Sequence, residues 1–518
     1  MVYASLGIRN SLSFYIVISF SLTVSFLLFA NDKNYEDMPK ADNIIPNVLD
    51  LETAQRIALR ENPSLKAVEH RIEQARQRVK QALANYYPQL MANYSATHLE
   101  FSDAKVESVK DSVWRQNSQM LGQSVSRGIP SDIGTANIDS ILSGIPWDTI
   151  ISNWVSSYLA TKEVPEYQNT YVLNFILRYT LFDGFARKYS LKLAELSEIS
   201  MEESKKEATR LLLYAVANNY YAVHLAEENI RIAEADKSFN ERLLYEAKAK
   251  YEKGSGSLSD VLNFEVRLRS SESQIINARQ NREIAKIALA EIMGLTTGKL
   301  PENVILAPLP EDDIVKSVDD LKEDELLSVA LSNRPDLKIA GLSVSQAEAR
   351  LRQAKSTFYP QIGVTLSHSA NREEDSEFRE EDFSTTIGLD VTYNLFAGGK
   401  YRAMRAEARS LIKEAEENYS SVRLTVISEV YTALQEVRSA MEQLKLQKET
   451  AEYVKRNRDL VEKEYNAGQA PLVRLNEAQR DLVEAESRLA TARVGLSRAI
   501  YKLKTVTSQS ISDFEVQK

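Results

Sequence analysis

The chain contains no cysteine, which excludes disulfides, thiolate metal sites, cysteine nucleophiles and a lipid-modified N-terminal cysteine. Its four histidines, His70, His98, His224 and His368, lie far apart and form no HxxxH-type pair. No histidine-based metal centre and no Ser-His-Asp arrangement can be assembled from them, so no catalytic, cofactor-binding or metal residue is assigned and no enzyme is expected. A basic excess is also missing: 64 Lys and Arg stand against 73 Asp and Glu, a formal net charge of −9. That balance argues against a nucleic-acid partner, which needs clustered positive charge. Glycine and proline are scarce, at 17 and 13 in 518 residues, where averages of roughly 7% and 5% are usual. With so few breakers and 26% charged residues, long helices are expected rather than a compact catalytic fold.

The amino terminus reads as an address. Arg9 precedes an uncharged run whose apolar part is Leu12–Ala30, and Asp32, Glu36 and Asp37 follow. A basic start, an apolar stretch and a small terminal residue describe an export signal over residues 1–30. An uncleaved anchor is the alternative, because ~20 apolar residues can span a bilayer. Leu28 at the −3 position is not the ideal small residue, which leaves the cut site open. No later segment is apolar enough to cross as a helix. The best, 211–226, has 16 residues and contains Asn218, Asn219 and His224. Any membrane crossing by the exported part therefore has to be made by strands.

The remainder is a duplication. Ala58–Lys66 (ALRENPSLK) matches Ala330–Lys338 (ALSNRPDLK) 272 residues later, and the same offset pairs Tyr87-Pro88-Gln89 with Tyr359-Pro360-Gln361. A second block keeps an offset of 214: LFDG, ending at Gly184, matches LFAG, ending at Gly398, while Tyr251 and Gly254 match Tyr465 and Gly468. The offsets differ by 58 residues, an insertion in the first copy over about 102–166, which holds Trp114, Trp147 and Trp154. The expected organisation is an extended segment 31–49, repeat 1 at 50–295, a linker 296–320, repeat 2 at 321–506 and a tail 507–518.

Each repeat reads as helix, strand, strand, very long helix, turn, long helix. Strands are expected at about 88–101 and 168–181, and again at 360–369 and 383–395. In the last, Ile387, Leu389, Val391, Tyr393 and Leu395 alternate with Thr386, Gly388, Asp390, Thr392 and Asn394. Such alternation suits a membrane barrel with a wet interior and equally a half-buried soluble sheet. Between Gly184 and Gly254 there is neither proline nor glycine, and between Gly398 and Gly468 there is no proline and no glycine beyond the adjoining Gly399. A helix filling either span is about 100 Å long at ~1.5 Å per residue, which demands a tubular or coiled-coil-like arrangement. Tips are expected near 254–260 and 468–474. Gly254 and Gly468 suit the left-handed position that ends a helix, Ser257 suits a cap, and Pro471 suits the first helical position.

The paired NPSL and RPDL segments, Tyr-Pro-Gln strand starts, LFDG and LFAG strand exits and Tyr-x-x-Gly tips together resemble the TolC-like outer-membrane efflux protein family, over about 50–506. The resemblance implies a mainly α chain with a membrane β-barrel. Each chain supplies four strands to a trimeric twelve-stranded barrel that continues as a long α-helical barrel. It implies a diderm, Gram-negative-type outer membrane, contact with outer-membrane lipid, a homotrimer, and function as a passive exit duct. Partners would be an inner-membrane pump and a periplasmic adaptor (membrane fusion) protein docking on the tips at Gly254, Ser257, Leu258, Gly468, Pro471 and Leu472. Drugs, metals or secreted polypeptides remain open as substrates. Pro88, Gly184, Pro360 and Gly398 mark the strand–helix junctions. The alternative is a periplasmic helical-hairpin scaffold or adhesin without a pore.

Two features belong to this chain. Asp260 and Arg474 are equivalent positions at the 214-residue offset. In a trimer whose six tips alternate, they would form a ring of ion pairs at a periplasmic gate, with Glu477 nearby. The bland alternative is a solvated Arg474 paired locally with Glu477. The insertion would face outside the cell, as a lid or as a surface loop. The carboxylates Glu373, Glu374, Asp375, Glu377, Glu380, Glu381 and Asp382 read as a solvated acidic loop.

Overall fold

The computed structural model describes residues 45–102, 104, 167–309 and 322–511. The export signal, nearly all of the insertion with its three tryptophans, part of the linker and the end of the tail lie outside these residues.

In chain order the elements are β1 (Val48–Leu49), α1 (Leu51–Glu61), α2 (Pro63–Ala84), β2 (Gln89–Glu100), β3 (Tyr167–Phe182), α3 (Ala186–Glu252), α4 (Leu258–Met293), β4 (Ile305–Leu306), α5 (Glu323–Asn333), α6 (Pro335–Lys355), β5 (Gln361–Glu373), β6 (Phe383–Thr392), α7 (Lys400–Asn466) and α8 (Leu472–Val506). The two long helices, α3 and α7, are each 67 residues. None of the described helices is long and apolar enough to cross a membrane.

The opening helical stretch of each repeat is broken, where the amphipathic pattern suggested one helix. Asn62 and Arg334 sit at the breaks with extended ψ angles of 121° and 123°. The cause is Pro63 and Pro335, since a proline drives the residue before it out of the helical region. Both break residues still donate a backbone hydrogen bond to the preceding turn, to Ala58 and Ala330.

The chain divides into two compact units, each drawing on both repeats. One takes its described residues from Met1–Pro63, Leu212–Asp319 and Ser439–Tyr501, the other from Ser64–Leu211, Asp320–Arg438 and Lys502–Lys518. In the first, β1 and β4 pair in parallel, and Tyr220 Oη donates toward the Leu49 and Ala307 carbonyls at 3.1 and 3.3 Å. Its core near the tips joins four helices: Phe239, Leu243, Leu244 and Ala247 of α3, Val261 and Phe264 of α4, Val461 of α7, and Leu475 and Ala478 of α8.

The second unit holds an antiparallel sheet in the order β2-β3-β5-β6. The register carries Leu90, Leu177, Leu366 and Ile387 across one face, and Asn93, Asn174, Ser369 and Ser384 across the other. A bulge at Leu181 resets the alternation, so that Phe182 rather than Leu181 pairs with Ile362.

Candidate functional site

The sheet separates two chemistries. Along one face run Tyr94, Leu173, Ala370 and Phe383 in one row, and Tyr179, Val364 and Leu389 in another. Ile387, Leu389 and Val391 are 76%, 66% and 61% exposed. A soluble sheet buries such a face against a second layer; here no described layer covers it. The opposite face is mostly polar, although Met91 and Ile176 pair across it, with Thr365 Oγ1 donating to Asp390 Oδ2 at 3.1 Å and Ser384 Oγ to the Ser369 carbonyl at 3.3 Å. Aromatic groups gather at both ends of the apolar face. At the loop end His368 stacks on Phe383 (4.8 Å between centroids) and Phe378 lies edge-on to Tyr94. At the helix end Phe182, Phe185 and Tyr359 meet edge to face.

The strands start directly after Pro88 and Pro360 and lead into the long helices through Gly184 and Gly398. These glycines are not equivalent. Gly184 has φ +65°, and a Cβ there would lie 2.5 Å from the Ser356 carbonyl oxygen and 2.8 Å from Tyr359 Cβ. Gly398 has φ +57° with open space around it. The repeats approach each other at the first junction, where only glycine fits.

The two tips share one backbone solution. Gly254, at φ +74°, donates to the Tyr251 carbonyl, and Ser255 to that of Lys250. Gly468, also at φ +74°, donates to Tyr465, and Gln469 to Glu464. This paired pattern satisfies the last carbonyls of each helix. Ser257 Oγ then caps α4 by accepting from Ser259 N at 3.1 Å. Its counterpart Pro471 stands one residue before α8, and its carbonyl accepts from Arg474 N. Leu258 is half-exposed, whereas Leu472 packs on the four-helix core.

The charged tip residues are arranged as follows. Asp260 lies in the first turn of α4. Arg474 Nη1 reaches Glu464 Oε2 at 3.3 Å, so its partner within the chain is Glu464 rather than Glu477. Asp260 and Arg474 are not joined to each other within the chain. Sequence reasoning missed Glu464, because the contact reaches back across the turn by ten positions. The signal was available: Glu464 is the counterpart of Lys250, so both charges of the pair are reversed between the copies. Above the tips, Glu462 accepts from Arg242 (2.6 Å) and Arg458 (3.1 Å), whose guanidinium groups both lie over the Phe239 ring.

A second charged centre was not foreseen. Arg334 is 2% exposed and grips Asp336 with two nitrogens, at 3.0 and 2.6 Å, while Nη1 bonds Glu429 and approaches the Val506 carbonyl. Arg210 bonds Glu207 and reaches the Thr505 carbonyl at 3.3 Å. Two guanidinium groups thus converge on the C-terminal end of α8, where the helix dipole favours positive charge. Burial works to raise the Asp336 pKa, but the Arg334 hydrogen bonds and charge, with Arg210, hold it below the ordinary carboxylate value.

Comparison with known proteins agrees with this geometry. The model of the outer membrane efflux protein family matches residues 152–295 and 326–508. The pyoverdine export outer membrane protein OpmQ of Pseudomonas aeruginosa is 28% identical over 328 residues, covering 62% of this chain and 66% of OpmQ, slightly less than two thirds of its length. The alkaline protease secretion protein AprF of the same organism is 24% identical, covering 66% of this chain and 69% of AprF. The solved structure of the outer membrane protein VceC from Vibrio cholerae superposes with a TM-score of 0.65 at 15% identity, over 88% of this chain and 95% of that one. With the family model spanning more than half of its residues, this chain belongs to the outer membrane efflux protein family.

Proposed function

We propose that the chain is one third of an outer-membrane channel-tunnel, the passive exit duct of a tripartite export machine. The observation that carries this is the four-stranded sheet. Its outer strands β2 and β6 each have a partner on one side only among the described residues, and its apolar face is bare. Four strands are too few to close a membrane barrel, which takes at least about eight. Long unpaired edges are aggregation-prone unless completed. Three copies edge to edge make twelve strands, with the apolar face toward lipid and the polar face lining water.

Energy for export is assigned to an inner-membrane pump acting through a periplasmic adaptor that docks at Gly254, Ser257, Leu258, Gly468, Pro471 and Leu472. Asp260 of one subunit and Arg474 of the next hold the tips together, in competition with Glu464 for Arg474, and Glu477 lies on the same turn. By their names OpmQ serves pyoverdine export and AprF alkaline protease secretion, so the substrate class proposed here takes in both small molecules and polypeptides. The test is reconstitution of the full chain in planar bilayers, with heat-modifiable mobility in SDS gels and outer-membrane fractionation. Stepwise conductance and a trimer band that collapses on boiling are expected. A water-soluble monomer that never conducts overturns the reading and favours the helical scaffold.

A further inference from the structure

The apolar face does not end with the strands. Phe182 continues it in register with Ile362. Phe185 and Tyr359, 50% and 48% exposed, extend it as an open aromatic ledge against Phe182, with ring centroids 5.5 to 6.4 Å apart. Cations follow at once. Arg187 lies 5.1 Å over the Tyr86 ring and Arg405 lies 5.9 Å over Phe358. Lys188, Lys400 and Arg402 are exposed at the starts of the two long helices, and Arg352 and Lys355 at the end of α6.

Folding does not account for this charge. The first turns of α3 and α7 contain no acidic residue, although the positive end of a helix dipole disfavours cations there. Arg187 is offset by Asp183 at 3.0 Å. Lys188, Lys400 and Arg402 have no ion-pair partner among the described residues. The chain as a whole is acidic, at −9, so the grouping is not a by-product of composition. The far end of the sheet has the opposite sign: seven carboxylates lie between Glu373 and Asp382. A device that breaks a local rule without a folding gain is expected at a functional surface.

We propose that this ledge and its cations are a docking surface for anionic phospholipid headgroups in the leaflet nearest the long helices. The rings sit at the boundary between acyl chains and headgroups, where aromatic side chains are favoured. Lys188, Lys400 and Arg402 reach the phosphates, as basic residues beside a membrane do. The acidic loop at the other end repels the same headgroups, so the charge asymmetry also sets which way round the sheet inserts. The proposal rests on the reading of the sheet as membrane-spanning.

The test uses the full chain purified in neutral detergent and titrated with fluorescent phosphatidylglycerol or phosphatidylcholine. Wild type should bind phosphatidylglycerol about tenfold more tightly, a preference that falls with added salt. K188Q/K400Q/R402Q should bind both lipids alike while keeping wild-type conductance, and E380Q/E381Q should keep the preference. Equal binding of the two lipids by wild type, a measurement that needs no variant to fold, overturns the proposal. So does a triple variant that retains the preference. Wild type that conducts in bilayers but shows no lipid preference removes the docking surface and leaves the channel standing; wild type that neither inserts nor conducts removes both.

Discussion

Arg474 and Glu464 form a 3.3 Å ion pair across the second tip, and the equivalent positions in the first tip, Asp260 and Lys250, carry the opposite signs. Duplicated tips with identical backbone turns therefore present reversed charges, a pattern suited to alternating first and second tips around a ring. In the proposed trimer, Glu464 and a neighbouring subunit's Asp260 would share the same guanidinium.

Two substitutions separate these partners. Arg474→Ser should raise channel open probability, whereas Glu464→Gln frees Arg474 for Asp260 and should lower it. An exposed pair contributes ~0–1 kcal/mol, so each change should be about two- to fivefold, read from single-channel records. Equal effects of the same sign would show that the tip charges do not gate.

Removing Asp336 should be more costly than removing any surface charge. Asp336→Asn leaves the buried Arg334 without its two-pronged partner, and breaking a buried pair from one side costs about 3–5 kcal/mol. The half-exposed Glu429 retains part of the compensation, so a loss near the lower end of that range is expected, read from the unfolding temperature of the protein. Because Asp336 is held below its ordinary pKa, its contribution is present above the unfolded carboxylate value and is lost as pH falls through the lower folded value. Arg334→Met tests whether the network stabilises or only specifies: a variant as stable as wild type assigns it to specificity.

Much of this architecture was legible in residue spacing. The glycine turns at both tips and the alternation in β6 are local signals, and the 214-residue register doubled each of them. The breaks at Asn62 and Arg334 were equally local, marked by Pro63 and Pro335, but the amphipathic stripe running through both prolines hid them. The Arg334–Glu429 contact joins residues 95 apart, beyond the reach of periodicity. The unequal junction glycines were hidden for the same reason: the matched LFDG and LFAG motifs give no hint that Gly184 alone lies against Ser356.

That inequality is directly testable. Gly184→Ala places a methyl 2.5 Å from the Ser356 carbonyl oxygen at positive φ, so backbone must move. Gly398→Ala meets open space and bears only the left-handed penalty of about 1–2 kcal/mol. The first should abolish the heat-modifiable trimer band and the second should only reduce it. Equal yields would mean that the approach at Ser356 relaxes freely.

His224 supplies a pH dependence of known sign. It is buried against Tyr220, 4.9 Å between ring centroids, and its Nε2 has no hydrogen-bond partner. Burial, with help from the Arg231 charge, pushes its pKa down to about 4. The unfolded chain takes up this proton near the ordinary value of about 6.5, so the folded state loses stability as pH falls from there toward 4. Below that the folded protein is protonated too and the loss levels off, at roughly 2–4 kcal/mol. His224→Phe keeps an aromatic ring and removes the proton. Its unfolding temperature should therefore fall less than that of wild type between pH 7 and pH 4.5. Parallel curves for the two proteins would show that His224 stays neutral without cost, and would move the acid sensitivity to the carboxylates.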